Sequence, residues 1–129
     1  MANKEELISS LGQKYEYGKE IEEKLNLIEQ QLSELEKFKS NLATLDESKE
    51  REFLASLGKG VFIKSEIMDK ILFVDVGSGV LIKKTTTEAK EVVEDQMKKI
   101  LEIRIELQKQ IELINRELQN LIKEIEKSN

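Results

Sequence analysis

The sequence of 129 residues contains no cysteine, histidine, proline or tryptophan. Without cysteine and histidine the chain lacks the ligands of the usual structural zinc sites and cannot form disulfides. The same absences exclude a cysteine nucleophile and every Ser-His-Asp arrangement. The absence of proline allows long helices, because no residue lacks the backbone N–H that a helix interior needs.

Long apolar runs and clustered positive charge are also missing. No apolar run approaches the roughly 20 residues that span a bilayer, and the first residues carry acids where a signal peptide has a basic start. We therefore expect a cytoplasmic protein that does not bind membranes. The net charge is −5, and lysines are interspersed with glutamates. Nucleic acid is a poor candidate partner, because binding it requires clustered basic residues.

The remaining polar residues show no pattern of catalysis. Glu66, Asp69 and Asp75 lack the spacing of a calcium loop, and a solvated strand face explains them better. Gly77-Ser78-Gly79 lacks the Gly-Lys-Ser/Thr of a phosphate-binding loop. We expect no catalytic residue, no metal site, no cofactor and no enzymatic activity.

Both ends of the chain carry a heptad pattern, which predicts coiled-coil helices over residues 5–45 and 86–127. Lys14, Gly18 and Lys39 interrupt the first seam. Its apolar residues are Leu7, Leu11, Ile21, Leu25, Ile28, Leu32, Leu35 and Leu42. The second seam consists of Val93, Met97, Ile100, Arg104, Leu107, Ile111, Ile114, Leu118, Leu121 and Ile125. Each helix has one apolar stripe and therefore needs a partner.

Local signals support the two helices. Thr85 and Glu88 fit a capping box, in which Thr85 caps the second helix and Glu88 reaches back to its backbone. Acidic residues four positions before a lysine predict ion pairs along each helix, worth about a few tenths of a kcal/mol each. These pairs are Glu20–Lys24, Glu94–Lys98 and Asp95–Lys99.

Between the helices, residues 51–84 change to the two-residue period of strands. Two glycine turns, Gly58-Lys59-Gly60 and Gly77-Ser78-Gly79, divide this segment into four short strands in two hairpins. Apolar residues fall on both strand faces, which predicts a sheet covered by other subunits. The expected oligomerisation residues are Phe62, Ile63, Ile71, Phe73, Val74 and Val76. The alternative is a marginal sheet packed on its own coiled coil.

These elements predict an α+β fold in a single domain over residues 1–129: a long antiparallel coiled-coil hairpin with a small β-domain at its bend. Residue i should then meet roughly residue 131 − i on the other helix. Leu7 is expected near Glu124, and Ile28 near Ile103. The outer ends of both helices should meet at a tip, away from the β-domain.

The chain resembles the alpha class of prefoldin, the archaeal and eukaryotic chaperone. The most specific part of this resemblance is Gly58 to Lys64, Val74 to Val80, and Thr85 to Ala89. The presence of two hairpins resembles the alpha class, because chains of the beta class have one. The chain departs from the alpha pattern in lacking a proline before the first glycine turn, and in having Lys83-Lys84 before the cap.

The resemblance implies an ATP-independent holdase that captures unfolded polypeptides at the coiled-coil tips and passes them to a group II chaperonin. Its expected partners are unfolded clients and either beta-class subunits in a hetero-hexamer or further copies of itself. The expected client-binding residues are Leu7, Ile8, Leu11, Tyr15, Tyr17, Leu118, Leu121, Ile122 and Ile125. For these the alternative is that they only close the coiled coil. The alternative function is a self-assembling filament or tether.

Overall fold

The computed structural model describes residues 3–128 of the chain. Its elements are α1 (Lys4–Glu47), β1 (Glu52–Gly58), β2 (Val61–Glu66), β3 (Ile71–Asp75), β4 (Leu81–Thr85) and α2 (Thr86–Lys127). The predicted α+β fold, two long helices separated by two β-hairpins, is confirmed. The chain divides into two compact units: a helical unit within Met1–Ser33 and Met97–Asn129, and a hairpin unit, Glu34–Gln96. The assignment of all residues to one domain stays a prediction.

In the helical unit, α1 and α2 lie side by side and antiparallel. Ile21 has the most deeply buried large side chain, with 1% of its surface exposed. Ile28, Leu32 and Ile114 are also buried, and the other apolar seam residues of this unit are buried or half-buried. The heptad pattern therefore identified the face that each helix buries. Gly18 lies in this seam, where an added Cβ would be 3.4 Å from Cγ2 of Ile114.

Basic residues in the seam of the helical unit are matched by glutamates of the other helix. Lys14 bonds to Glu117, with Nζ 2.5 Å from Oε2, and Arg104 bonds to Glu29 at 3.1 Å. Both pairs lie within two residues of the predicted antiparallel register, which is thereby confirmed for this unit. The pairs satisfy charges that would otherwise lie unpaired beside the apolar seam.

In the hairpin unit, too, a basic residue of the seam is matched by a glutamate of the other helix. Lys39 of α1 lies 3.4 Å from Glu94 of α2, again within two residues of the predicted register. The expectation of a Glu94–Lys98 pair was wrong, and so were the other two pairs expected along the helices. The ion pairs of Lys14, Lys39 and Arg104 each join the two helices. A glutamate that reaches a basic seam residue across the interface bonds there instead of along its own helix.

The four strands form two separate two-stranded antiparallel sheets, β1–β2 and β3–β4. Their turns are near-copies of one another. Lys59 and Ser78 have φ of 50° and 53°, and the glycines that follow, Gly60 and Gly79, have φ of 77° and 75°. Two consecutive residues with positive φ are typical of the type I′ turn, whose twist suits a hairpin. The glycine before each turn also has positive φ, at 107° and 113°.

The sequence repeats along with the geometry. Residues 58–64 and 77–83 share glycine, glycine, valine, isoleucine and lysine at equivalent positions. In both hairpins a side chain two residues before the first glycine accepts a hydrogen bond from its N–H. Ser56 accepts from Gly58 at 3.3 Å, and Asp75 accepts from Gly77 at 2.8 Å. The two hairpins are therefore built on one local design.

The end of α1 and the start of α2 are tied together within the hairpin unit. The hydroxyl of Thr86 donates to Oδ1 of Asp46 at 2.5 Å. The last turn of α1 contains no basic residue. Lys70, from the connection between the hairpins, supplies a positive charge at this end of the helix. Its ammonium donates to the carbonyl oxygens of Asp46 at 2.8 Å and Ser48 at 3.2 Å. A cation at this position satisfies free carbonyl groups and the negative end of the helix dipole.

Candidate functional site

The nine predicted tip residues fall into three classes of exposure. Leu7 is buried, with 7% of its surface exposed. Four are half-buried in the coiled coil: Leu11, Leu118, Leu121 and Ile125. The other four have 45–54% of their surface exposed: Ile8, Tyr15, Tyr17 and Ile122. The exposed group contains the residues that lie outside the seam, because pairing of the two helices covers only the seam faces.

Five of the nine residues line one shallow groove of about 410 Å³, which we call the tip groove. Its lining residues are Ile8, Leu11, Gly12 and Tyr15 from α1, and Leu118 and Ile122 from α2. All six lie in the helical unit. Leu7, Tyr17, Leu121 and Ile125 do not line it.

The helix register explains why these residues converge. Leu11 and Leu118 occupy seam positions, so they form the floor between the two helices. Ile8, Tyr15 and Ile122 each follow a seam position by one residue, which places them at the rim of the interface. Gly12 has nothing within 4 Å of the position where a Cβ would be. The groove therefore remains open at Gly12.

A second, more open groove lies along the same stretch of α1. It shares Ile8 and Gly12 with the tip groove, and its other lining residues are Ser9, Gln13, Glu16, Tyr17 and Glu20. We call it the acidic groove. The heptad pattern does not single out Gly12, Glu16 and Glu20. An available signal was a glycine within a helix at a position that the heptad pattern places outside the seam.

One lysine contacts the tip groove through an aromatic ring. Nζ of Lys19 lies 5.4 Å from the centre of the Tyr15 ring, within the range of a cation–π interaction. Since Tyr15 is about half exposed, this contact covers part of a ring that would otherwise face solvent. Lys14 is held by Glu117, so neither lysine lines either groove.

The predicted oligomerisation residues lie on the two hairpins, and most are exposed. Phe62 and Phe73 have 57% and 61% of their surface exposed. Ile63, Ile71 and Val76 are also exposed. Val74 differs, since it is half-buried. It lines a cavity of about 200 Å³ together with Phe38, Val93 and other residues of both helices.

Strand register shows how the apolar side chains are distributed. Phe62 pairs with Ser56, and Ile63 pairs with Ala55, so Phe62 and Ile63 lie on opposite faces of the first hairpin. In the second hairpin Phe73 pairs with Lys83, whose Nζ lies 5.8 Å from the ring centre. Both hairpins thus expose large apolar side chains, and each strand has one unpaired edge.

Within residues 3–128, neither helix is long and apolar enough to cross a membrane. Across the same residues, no group of three or more acidic side chains is arranged to hold a metal ion.

Comparisons with known proteins address the fold as a whole. Residues 16–129 match the family model for prefoldin subunits. Prefoldin subunit alpha 2 of Thermococcus kodakarensis is 33% identical over 82 residues. That match covers 63% of this chain and 58% of the relative, so it spans less than two thirds of the relative's length.

A solved structure matches more of the chain at lower identity. The cryo-EM structure of filamentous PFD from Methanocaldococcus jannaschii has a TM-score of 0.70 and 19% identity. The match covers 93% of this chain and 98% of the chain in the solved structure. At this identity the likeness concerns the fold: two long helices and the strands between them.

Proposed function

Because the chain belongs to the prefoldin subunit family and is similar to an alpha-class subunit, we propose that it is a subunit of an ATP-independent holdase of the alpha type. In this proposal the helical unit captures unfolded polypeptides at the tip groove and passes them to a group II chaperonin. The observation that carries the proposal is the tip groove itself, where apolar side chains of two helices line a surface open to solvent. Contiguous exposed apolar surface is a feature of protein-interaction sites.

The shallow shape of the tip groove suits weak and unspecific capture. An unfolded chain offers many short apolar segments, and an open groove accepts one without requiring a fixed shape. One groove binds weakly, but several on one assembly raise the effective concentration for the next contact. Weak individual contacts also let a client leave for a chaperonin.

We further propose that the hairpins join subunits, with beta-class subunits or with further copies of this chain. The exposed side chains of Phe62, Ile63, Ile71, Phe73 and Val76 support this, as do the unpaired strand edges. Val74 already packs against its own helices, so we assign it to the support of the hairpin instead of the contact with another subunit.

The first experiment is light scattering of a chemically denatured client diluted into buffer with this protein, alone and with a beta-class subunit. Suppression of aggregation only with the partner would support a heteromeric chaperone. Suppression by the chain alone would support a holdase assembled from one kind of subunit. Failure of both folded, assembled samples to protect the client would contradict the proposal.

Variants locate the capture site in the same assay. The triple variant Ile8→Ser, Tyr15→Ser, Ile122→Ser removes the exposed apolar rim of the tip groove, and we expect it to lose most of the protection. The matched control replaces three similarly exposed apolar residues of the helical unit that do not line the groove: Leu27, Ile105 and Leu113, each to serine. Equal loss of protection in both variants would indicate that clients bind outside the tip groove.

The second candidate function is a self-assembling filament or tether. It is favoured by the large exposed apolar surface of both hairpins and by the description of the structural neighbour as filamentous. Negative-stain electron microscopy and sedimentation of the chain alone distinguish the two. Long polymers without client protection would support the filament, and closed assemblies that protect a client would support the holdase.

A further inference from the structure

Gly12 lies in the interior of α1, where the tip groove and the acidic groove meet. Glycine in a helix interior is less favourable than alanine, so a structural reason for it is expected. Gly12 does not have positive φ, and beyond its chain neighbours and the adjacent backbone of its own helix no atom lies within 4 Å of its missing Cβ. Neither backbone conformation nor close packing requires glycine here. What the residue does is leave a notch at the boundary between the tip groove and the acidic groove, both of which it lines.

The two grooves that meet at Gly12 differ in chemistry. On one side the lining is apolar and comes from both helices, including Leu11, Leu118 and Ile122. On the other side the lining comes from α1 and includes the carboxylates of Glu16 and Glu20. A polypeptide segment lying across the notch therefore contacts an apolar surface and two acidic side chains together.

The carboxylates are available to such a segment. Within residues 3–128 neither Glu16 nor Glu20 has a cationic group within ion-pair distance. Of the nearby lysines, Lys14 is paired with Glu117, and Lys19 lies over the Tyr15 ring.

The charge of the surrounding helix segments acts in the same direction. Residues 3–23 contain six glutamates and three lysines, whereas residues 109–128 contain four of each sign. The α1 segment therefore carries a charge of −3 out of the chain's −5, and the α2 segment is neutral. Such a field attracts basic segments and repels acidic ones.

We propose that the two grooves together select one class of client segment: a short apolar stretch flanked by lysine or arginine. An apolar side chain of the client fills the notch at Gly12 and contacts the tip groove, while a neighbouring basic residue binds Glu16 and Glu20. This inference rests on the proposed holdase function and adds a preference that the apolar surface alone would not have.

The test uses the assembled protein and two fluorescein-labelled peptides with the same apolar core, one flanked by lysines and the other by glutamates. Fluorescence anisotropy gives the dissociation constant of each. We expect the lysine-flanked peptide to bind about tenfold more tightly, because its lysines pair with the exposed carboxylates whereas the glutamates of the other peptide are repelled by them. The difference should shrink at high salt, because exposed charges are screened.

Charge-neutral variants assign the preference to the acidic groove. Glu16→Gln with Glu20→Gln should remove most of the difference between the peptides. The matched control, Glu102→Gln with Glu106→Gln, changes the net charge equally and has the same spacing on a helix, but those exposed residues line neither groove. If the control reduces the difference as much, general attraction to an acidic protein explains the preference and the inference is wrong.

A separate variant tests the notch. Gly12→Leu fills it with an apolar side chain that meets no neighbouring atom at Cβ, and we expect it to weaken binding of both peptides by about tenfold or more while leaving helix content unchanged. Gly12→Ala should bind like the wild type, because a methyl group leaves the notch open. Equal binding by Gly12→Leu would overturn the role of the notch.

Failure of this inference can be told apart from failure of the proposed function. If both peptides bind equally and the protein still suppresses client aggregation, the charge preference is wrong and the holdase stands. If neither peptide binds but aggregation is suppressed, clients bind outside these grooves and the inference falls. If the protein neither binds peptides nor suppresses aggregation, both proposals fall.

Discussion

At the scale of single residues, three basic side chains in the apolar seam help to define how the helices pair. Lys14, Lys39 and Arg104 each bond to a glutamate of the other helix. These side chains are about a third or more exposed, so each pair contributes only about 1 kcal/mol or less to stability. A shift of register would leave the basic groups beside apolar residues without partners. The main effect of the pairs is therefore to favour one register over others, and their contribution to the free energy of unfolding is small.

The capping box at the start of α2 gives a prediction for one residue. The N–H of Glu88 donates to the Thr85 hydroxyl at 3.1 Å, and the N–H of Thr85 donates to Oε1 of Glu88 at 3.2 Å. Thr85→Ala should lower the free energy of unfolding by about 1 kcal/mol, measured by chemical denaturation. Thr87→Ala is the control, because this exposed neighbour has no such bonds. An equal loss in the control would contradict a specific role for the cap.

The same box predicts a pH dependence. Hydrogen bonds from the Thr85 backbone and then from its hydroxyl hold the pKa of Glu88 below its ordinary value of 4.5. Because the folded-state pKa is lowered, the stabilisation is complete above that ordinary value and is lost as the pH falls through the folded-state pKa. Thermal melts should therefore separate wild type from Glu88→Gln near neutral pH and converge in acid.

The control for this prediction is Glu91→Gln, an exposed glutamate one turn further along α2. We expect no comparable difference from wild type at either pH. A gap between wild type and Glu88→Gln that stays constant down to strongly acidic pH would show that the ionised carboxylate is not what stabilises the cap.

At the scale of elements, the two hairpins depend on the same backbone conformation. Gly60 and Gly79 lie in the left-handed region at equivalent turn positions, where a side chain at Cβ is unfavourable. Nothing lies within 4 Å of either missing Cβ. Any effect of substitution therefore comes from backbone strain and not from a clash with neighbours.

We predict that Gly60→Ala and Gly79→Ala each destabilise their own hairpin by roughly 1–2 kcal/mol. Hydrogen exchange should show faster exchange of the strand amides in the substituted hairpin and unchanged exchange in both helices. Ser78→Gly is the control, since glycine suits the φ of 53° at that position. Unchanged protection in both alanine variants would contradict the assigned turn type.

Elements also show where sequence patterns stop being informative. The heptad pattern identified the helices, and the period of two together with the glycine turns identified the hairpins. Neither of these patterns identified Thr86 and Ala89 as buried. Ala89 is covered because Val74 and Phe38 lie around the same cavity, and Thr86 because it bonds to Asp46. Both contacts join residues far apart in sequence, which a local pattern does not encode.

At the scale of the whole molecule, the hairpins expose more apolar surface than a stable isolated subunit needs. Phe62 and Phe73 are each more than half exposed, so replacing them should leave the fold intact. We predict that Phe62→Ser with Phe73→Ser shifts the assembled protein toward single subunits in sedimentation velocity, with an unchanged circular dichroism spectrum. Apolar burial of a phenylalanine is worth roughly 1.5–3 kcal/mol, enough to alter association markedly.

The control for assembly is Leu27→Ser with Leu113→Ser, two similarly exposed apolar residues of the helical unit. This variant should sediment like the wild type. If it dissociates as well, or if the phenylalanine variant stays assembled, the hairpins are not the surfaces that join subunits.

The sequence by itself determined the two helices, their seams, the antiparallel register, the capping box and the paired hairpins. Each follows from a period, a turn residue or a cap that acts over a few positions, and the register follows because two helices of similar length, each with one seam, can pair in few ways. Only the tertiary structure decided which exposed residues share a surface. Gly12 became part of a candidate site because Leu118 and Ile122 of the other helix meet Ile8 and Tyr15 there, and Glu16 and Glu20 adjoin that site on α1. Convergence of residues about 110 positions apart depends on helix packing, which no local pattern contains.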